Sequence, residues 1–279
     1  MRIIKRKTYF YLQHSFRRKN KVITKEAYLG IKMPKNIDEI KEKLLREYKK
    51  ELYEKLEKIK LNFQKEWNKI PNSIKQKELQ EISIAFTYNT NKIEGSTITK
   101  EETREIIQNN IAPKKSLYDI KETEFHSKVF IDMLIKKEKI TTELLLKWHK
   151  EIFGETKKDI AGIYRDYLVR IGDYIAPDWQ DVKKLMNELI MFISKSKIHP
   201  VELAARAHYK FEMIHPFGDG NGRIGRLLMN FILWYAGYPM LIIEYKKRIS
   251  YYKAFKKDEN HFVNYFFRRY LSVHKKLIL

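Results

Sequence analysis

The 279-residue sequence contains no cysteine. Disulfides and thiolate metal sites are excluded, which fits a reducing compartment, and a cytoplasmic location is expected. Long apolar runs are missing too. The longest, "FILWYAGYPMLII", is too short to cross a bilayer and is interrupted by Gly237 and Pro239. The N-terminal "MRIIKRKTYFYLQH" is basic but lacks the apolar stretch of a signal peptide, so no membrane partner is expected. Internal repeats and low-complexity linkers are absent. Acidic residues are in deficit, 35 against 57 Lys+Arg, for a formal net charge of +22. That excess attracts polyanions (nucleic acid, nucleotides, acidic proteins) without choosing among them, and solvated lysine-rich helix faces account for much of it.

What is present is 43% hydrophobic and 13% aromatic, enough for a substantial core. Residues 1–33 alternate in the manner of strands, "TYFYLQHSF" and "VITKEAYLGI" flanking the basic "RRKNK", and predict a β-hairpin. Its cations Arg17, Arg18, Lys19 and Lys21, beside Tyr9, Phe10, Tyr11 and Phe16, offer a surface for nucleic acid or an acidic partner. A packed hairpin with a solvated turn is the preferred reading. From Ile37 to Trp67 the period changes: Ile40, Leu44, Tyr48, Leu52 and Leu56 recur every four residues, predicting a long amphipathic helix that Pro71 ends. Shorter helices are expected over about 75–93, from Thr99 (where "TKEE" is a capping box), over 117–136, 142–153, 180–194, 200–214 and 222–236, and through the C-terminus. "YLVRIGDYIAP" interrupts them as a short hairpin turning at Gly172-Asp173. The expected fold class is mainly α, with residues 1–70 forming a β-hairpin and long helix ahead of a helical domain over 71–279.

One stretch contradicts simple helix electrostatics. In "HPFGDGNGRIGR", Arg223 and Arg226 lie in the first turns of a helix, where unpaired N–H groups and the macrodipole favour anions. Gly218, Gly220 and Gly222 precede or open that helix and allow tight turns and close approach of a ligand. Consecutive N–H groups there form an anion-binding nest. A di- or triphosphate on the N–H groups of Gly220, Asn221 and Gly222, gripped by Arg223 and Arg226, resolves the anomaly. Asp219 repels phosphate but makes sense as a Mg²⁺ ligand beside one. His215, at the mouth of the loop, has an ordinary pKa suited to proton transfer near neutrality. Base, metal ligand, nest and clamp suggest phosphoryl or nucleotidyl transfer.

The stretch also resembles the signature of the Fic (Fido) family, His-x-Phe-x-Asp/Glu-Gly-Asn-Gly-Arg-x-x-Arg, at every specified position. The chance of that is roughly one in 10¹⁰ per start site at about 5% per residue. The resemblance, over about residues 75–275, implies a Fic helical domain with a small β-hairpin flap. It also implies transfer of AMP from ATP to a hydroxyl side chain of a target protein. His215 would deprotonate that hydroxyl, Asp219 would hold Mg²⁺, and Gly220, Asn221 and Gly222 would stabilise the α-phosphate. Arg226 would hold the γ-phosphate, and Arg223, Ile224 and Gly225 complete the ATP-binding stretch. Another nucleotide or a phosphocholine donor remains open, as does a nucleotide-sensing, nucleic-acid-binding protein that uses the basic hairpin.

A second charge is misplaced with the opposite sign. Glu94 sits at the carboxyl end of a predicted helix, before the stop Gly95, where an anion is disfavoured and a cationic partner such as Arg226 is wanted. Thr90-x-x-x-Glu94-Gly95 resembles the family's inhibitory motif, on a helix over about 79–95. The glutamate would then pair with Arg226 and block productive γ-phosphate binding, and in some relatives it supports removal of AMP. By the same resemblance "GIYRDYLVRIGDYIAPDWQDV" is the flap, docking a target segment over about 167–176 and touching the nucleotide through Ile171, Gly172, Asp173 and Tyr174. Tyr251 of "RISYYKAF" would contact the nucleotide, and Asn260 replaces an asparagine that relatives carry one position earlier, where Glu259 stands. His208 is read as a packed core histidine. A homodimer remains open as a further partner, because by the same resemblance inhibitory contacts in this family can respond to dimerisation.

Overall fold

The computed structural model describes residues 1–18, 21–34 and 36–279; the side chains of residues 16–18, 21, 38, 42 and 45–48 also fall outside the description. It comprises two compact units, Met1–Lys58 and Ile59–Leu279, divided within helix α1 (Ile37–Lys69).

The first unit holds strands β1 (Arg2–Arg6), β2 (Tyr9–Arg18) and β3 (Lys21–Gly30), antiparallel in the order β1-β2-β3. The β2–β3 pair is the expected hairpin, with Leu12 opposite Ala27 and Arg18 opposite Lys21. β1 was not expected. It joins through Lys7-Thr8, with Lys7 at φ +54°, and that turn lacks the Asn-Gly or Asp-Gly signal that marks a tight hairpin in sequence. Leu12, Leu29 and Leu44 form a small core, flanked by Phe10, Ala27, Ile37 and Ile40. The proposed polyanion surface centres on Lys19 and the side chains of Phe16, Arg17, Arg18 and Lys21, which lie outside the described residues, as does the side chain of Tyr48.

In the second unit, the end of α1 buries Ile59 and places Phe63 and Trp67 against Trp234. Then follow α2 (Asn72–Ile93), α3 (Lys100–Arg104), α4 (Leu117–Ile135), α5 (Thr142–Phe153), the hairpin β4 (Arg170–Ile171) and β5 (Tyr174–Ile175), α6 (Val182–Lys195), α7 (Pro200–Ile214), α8 (Asn221–Tyr235), α9 (Arg248–Phe255) and α10 (Glu259–Val273). Mainly helical architecture with small antiparallel sheets is what the periodicity predicted. Thr99 caps α3 reciprocally with Glu102, and α3 runs on into one π-helical turn, Glu105–Asn109. At the centre lies α8, buried from Asn221 to Leu233 save Gly222, with α2, α4, α5 and α7 packed on it. Its periodicity, Ile224, Leu227, Leu228, Phe231 and Ile232, already describes a helix with an apolar flank. The structure adds that its polar residues are enclosed as well. Those enclosed polar residues make the site. Among the described residues no helix is long and apolar enough to cross a membrane.

Candidate active site

The loop from α7 to α8 begins with an unusual conformation. Pro200 stands at the start of α7 and its neighbour His199 caps it; Pro216 prevents the helix from continuing. His215 therefore closes α7 in the left-handed region, at φ +50° and ψ +61°, a costly geometry for a non-glycine residue. Gly220, at φ +77°, then opens α8, and a Cβ there would lie 2.4 Å from the Phe153 ring. The loop is held from both sides. Asn221 accepts the Phe217 N–H at 2.9 Å and donates to the Phe217 carbonyl at 2.8 Å. Phe217 stacks on His149 at 3.9 Å between ring centres. Because the Gly162 N–H donates to His149 Nδ1, the proton of the neutral ring is on Nε2, which donates to the Asp219 carbonyl at 3.0 Å. Burial lowers His149 to about 4, so it stays neutral.

Arg165 fastens the flap segment to this loop. It donates to the carbonyls of His215 (2.8 Å), Tyr167 (2.7 Å) and Pro177 (2.6 Å), and its own N–H reaches the Pro216 carbonyl. Tyr174 adds a bond to the Met213 carbonyl at 2.9 Å. Ile171 and Tyr174 are exposed on the hairpin, and Gly172 turns it at φ +59° ahead of Asp173.

The two arginines have different surroundings, and neither is free. Arg226 is 1% exposed. Its Nε donates to Thr90 Oγ1 at 2.6 Å, and its Nη2 to the Thr90 carbonyl at 3.2 Å and to Glu94 Oε1 at 2.7 Å. The two charges misplaced at helix ends thus neutralise one another. Gly222 provides the space, since a Cβ on it would lie 2.2 Å from Glu94 Oε1. Glu94 caps α2, and Gly95 follows at φ +95°. Arg223 departs from the expected phosphate clamp. It is buried, bonded to Glu122 Oε2, and lies over the Phe153 ring at 4.3 Å. Glu122 also accepts from Thr156 (3.0 Å) and Lys157 (2.7 Å). Burial alone would raise its pKa, but Arg223 and Lys157 outweigh that and hold it low.

Asp219 is the exposed acid of the loop, its side chain 48% accessible. Oδ1 accepts the Gly220 N–H at 2.6 Å and Oδ2 pairs with Lys157 at 2.8 Å. Desolvation opposes ionisation, and Lys157 and Arg223 override it, so the carboxylate is ionised. Among the described residues no group of three or more metal-ligating side chains occurs. An accessible carboxylate beside a helix N-terminus fits Mg²⁺, which takes its other ligands from phosphate and water. With Glu94, Asn91, Asp119, Glu122, Lys157 and Arg223, Asp219 lines a cleft of about 390 Å³.

The remaining residues expected at the nucleotide have the following surroundings. Burial lowers His215 to about 4, partly opposed by the Glu212 backbone, instead of leaving it near neutrality; at pH 7 it is a neutral proton acceptor. The Asn221 side chain is spent on the loop, bonded through both its oxygen and its nitrogen to the Phe217 backbone. Ile224 is fully buried, and Gly225 lies against His208 and Glu212; both belong to the core. Tyr251, 2% exposed, bonds His208 Nε2 at 2.7 Å within an aromatic cluster, while its neighbour Tyr252 is exposed and bonds the Ile93 carbonyl beside Glu94. Asn260 is a surface partner of Arg206. His208 is the core histidine expected, pushed down to about 3 by burial. Sequence reasoning missed His149, Arg165, Glu122 and Lys157, of which only Arg165, inside the quoted flap segment, carried a signal.

Residues 139–233, which contain α5, the hairpin and the loop, match the model of the Fic/DOC family. The chain is 36% identical over 186 residues to the protein adenylyltransferase Fic of Nematostella vectensis, covering 64% of this chain and 44% of that protein. With the protein adenylyltransferase Fic of Drosophila virilis it is 34% identical over 197 residues, covering 66% and 40%. The chain thus spans less than half the length of these curated relatives. Its fold is similar to that of Fic-1 from C. elegans (TM-score 0.71, 24% identity, 84% of this chain and 72% of that one). It is also similar to that of a Fic domain containing signaling protein from Bacteroides thetaiotaomicron (TM-score 0.69, 24% identity, 82% and 94%). The segment that carries the loop, residues 139–233, is thus similar to the Fic/DOC family.

Proposed function

We propose that the chain is an autoinhibited, Mg²⁺-dependent transferase that moves AMP from ATP to a hydroxyl side chain of a protein. The observation that carries this reading is the Glu94–Arg226 pair, seated across Gly222 at the amino end of α8. An anion already occupies the place where the helix favours one, and it is the protein's own. The names of the curated relatives support adenylyl transfer as the chemistry.

In the active state Glu94 is displaced and Arg226 is free for the terminal phosphate. The first-turn N–H groups of α8 face the α-phosphate, where negative charge develops. The neutral His215 ring accepts the proton of the target hydroxyl. Its oxygen bonds to the α-phosphorus as the bond from that phosphorus to the bridging oxygen of the β-phosphate breaks, and pyrophosphate departs. Asp219 is the residue that would hold Mg²⁺, which when bound would supply positive charge beside the departing pyrophosphate. Arg165 and Tyr174 hold the flap against the His215 loop, so a target strand added to the hairpin edge is set in register with the base.

Incubation of the wild type, Glu94→Gly and Glu94→Gly/His215→Ala proteins with ATP and Mg²⁺, read by intact mass, tests this. Glu94→Gly should gain AMP at least tenfold faster than wild type, and the double variant should gain none. Equal labelling of wild type and Glu94→Gly would remove the inhibitory role; labelling without His215 would remove the base.

A further inference from the structure

Lys157 lies in the turn after α5, its N–H bonded to the Phe153 carbonyl at 2.8 Å. Its ammonium sits 2.7 Å from Glu122 Oε1, 2.8 Å from Asp219 Oδ2 and 4.9 Å from the centre of the Phe153 ring. Glu122 does not depend on it for charge, because Arg223 is bonded to the other carboxylate oxygen. On Asp219 the situation differs. Oδ1 accepts the Gly220 N–H, while Oδ2 is paired with Lys157 at 2.8 Å and faces Arg223 at 3.7 Å, so a metal on Oδ2 competes with Lys157 first.

We propose that Lys157 is a built-in competitor for the metal on Asp219, a positioning residue that orients the carboxylate while denying it to a divalent cation. This rests on reading Asp219 as the metal ligand. A metal arriving alone must break the Lys157–Asp219 pair and place its charge beside an ammonium and Arg223, both repulsive. A metal arriving with a polyphosphate brings anionic oxygens that compensate both cations, and Lys157 can turn toward them without leaving Glu122. The device makes metal binding conditional on the phosphate. It also makes a testable distinction: once the ammonium is removed, Glu122 Oε1 and Asp219 Oδ2 face the same vacated position, a better site for a bare cation than the wild-type protein has.

The test uses Mn²⁺ alone, with no nucleotide, and reads free Mn²⁺ by electron paramagnetic resonance. Lys157→Met and, as a second neutral variant, Lys157→Gln should bind Mn²⁺ on the order of two- to fivefold more tightly than wild type, the scale of one partly exposed ion pair. Lys157→Arg should stay near wild type. Adding Asp219→Asn to Lys157→Met should abolish the gain. Equal Mn²⁺ affinity in wild type and both neutral variants would overturn the proposal, as would a gain that survives Asp219→Asn. Because no nucleotide is present, such a failure would leave the transferase reading to the labelling experiment.

Discussion

At the scale of single residues, burial decides the protonation of the enclosed histidines. His215 and His149 are both lowered to about 4, His274 likewise, and His208 to about 3, with desolvation the largest cause each time. The sign follows from linkage. Between the native value and the ordinary 6.5, the unfolded chain binds protons that the folded chain refuses, so stability rises with pH. The contribution of His215 is present above pH 6.5 and is lost as pH falls from 6.5 to about 4. Urea unfolding at pH 7 and pH 5 should show His215→Ala losing less stability on acidification than wild type, by about 2 kcal/mol. An identical loss in both proteins would mean that the ring is not desolvated in the native state.

At the scale of elements, the hairpin β4–β5 and the α7–α8 loop act as one piece because Arg165 joins them. Arg165→Ala would leave the carbonyls of His215, Tyr167 and Pro177, and the more distant one of Ile214, without a charged donor. At roughly 1.5–3 kcal/mol for a hydrogen bond to a charged group, less where water replaces it, a total near 3 kcal/mol is expected. A melting temperature lower by about 6–12 °C should accompany it, together with loss of AMP transfer in the Glu94→Gly background. Unchanged labelling would separate the flap from the catalytic geometry. Elements of this kind are also where the sequence spoke unevenly. Helices with long apolar periods, the capping box at Thr99 and the Gly172-Asp173 turn were readable because each is local. The helix-end anomalies of Arg226 and Glu94 were readable because a charge against a dipole demands a partner wherever it is. The partner of Arg223 was not readable, since Glu122 lies 101 residues away on α4 and leaves no trace near the loop. Tyr251 and Tyr252 differ by about 100° around α9, so one must face inward and the other outward. Only the packing of His208, Phe255 and Phe262 shows which.

At the scale of the whole molecule, a formal charge of +22 attracts any nucleotide, with or without a site. Magnesium separates the two cases. It lowers the charge of ATP, so diffuse attraction to the protein surface weakens when it is added. A loop that presents Asp219 to a metal, helix N–H groups to phosphate and Arg226 to the far end requires the opposite dependence. The decisive measurement is calorimetric titration of ATP into Glu94→Gly/His215→Ala protein, with and without Mg²⁺, beside the protein that retains Glu94. The account predicts saturable uptake that needs Mg²⁺, fails in Asp219→Asn and is at least tenfold weaker when Glu94 is present. Uptake that is indifferent to Mg²⁺ or weakened by it, and equal with and without Glu94, would contradict it.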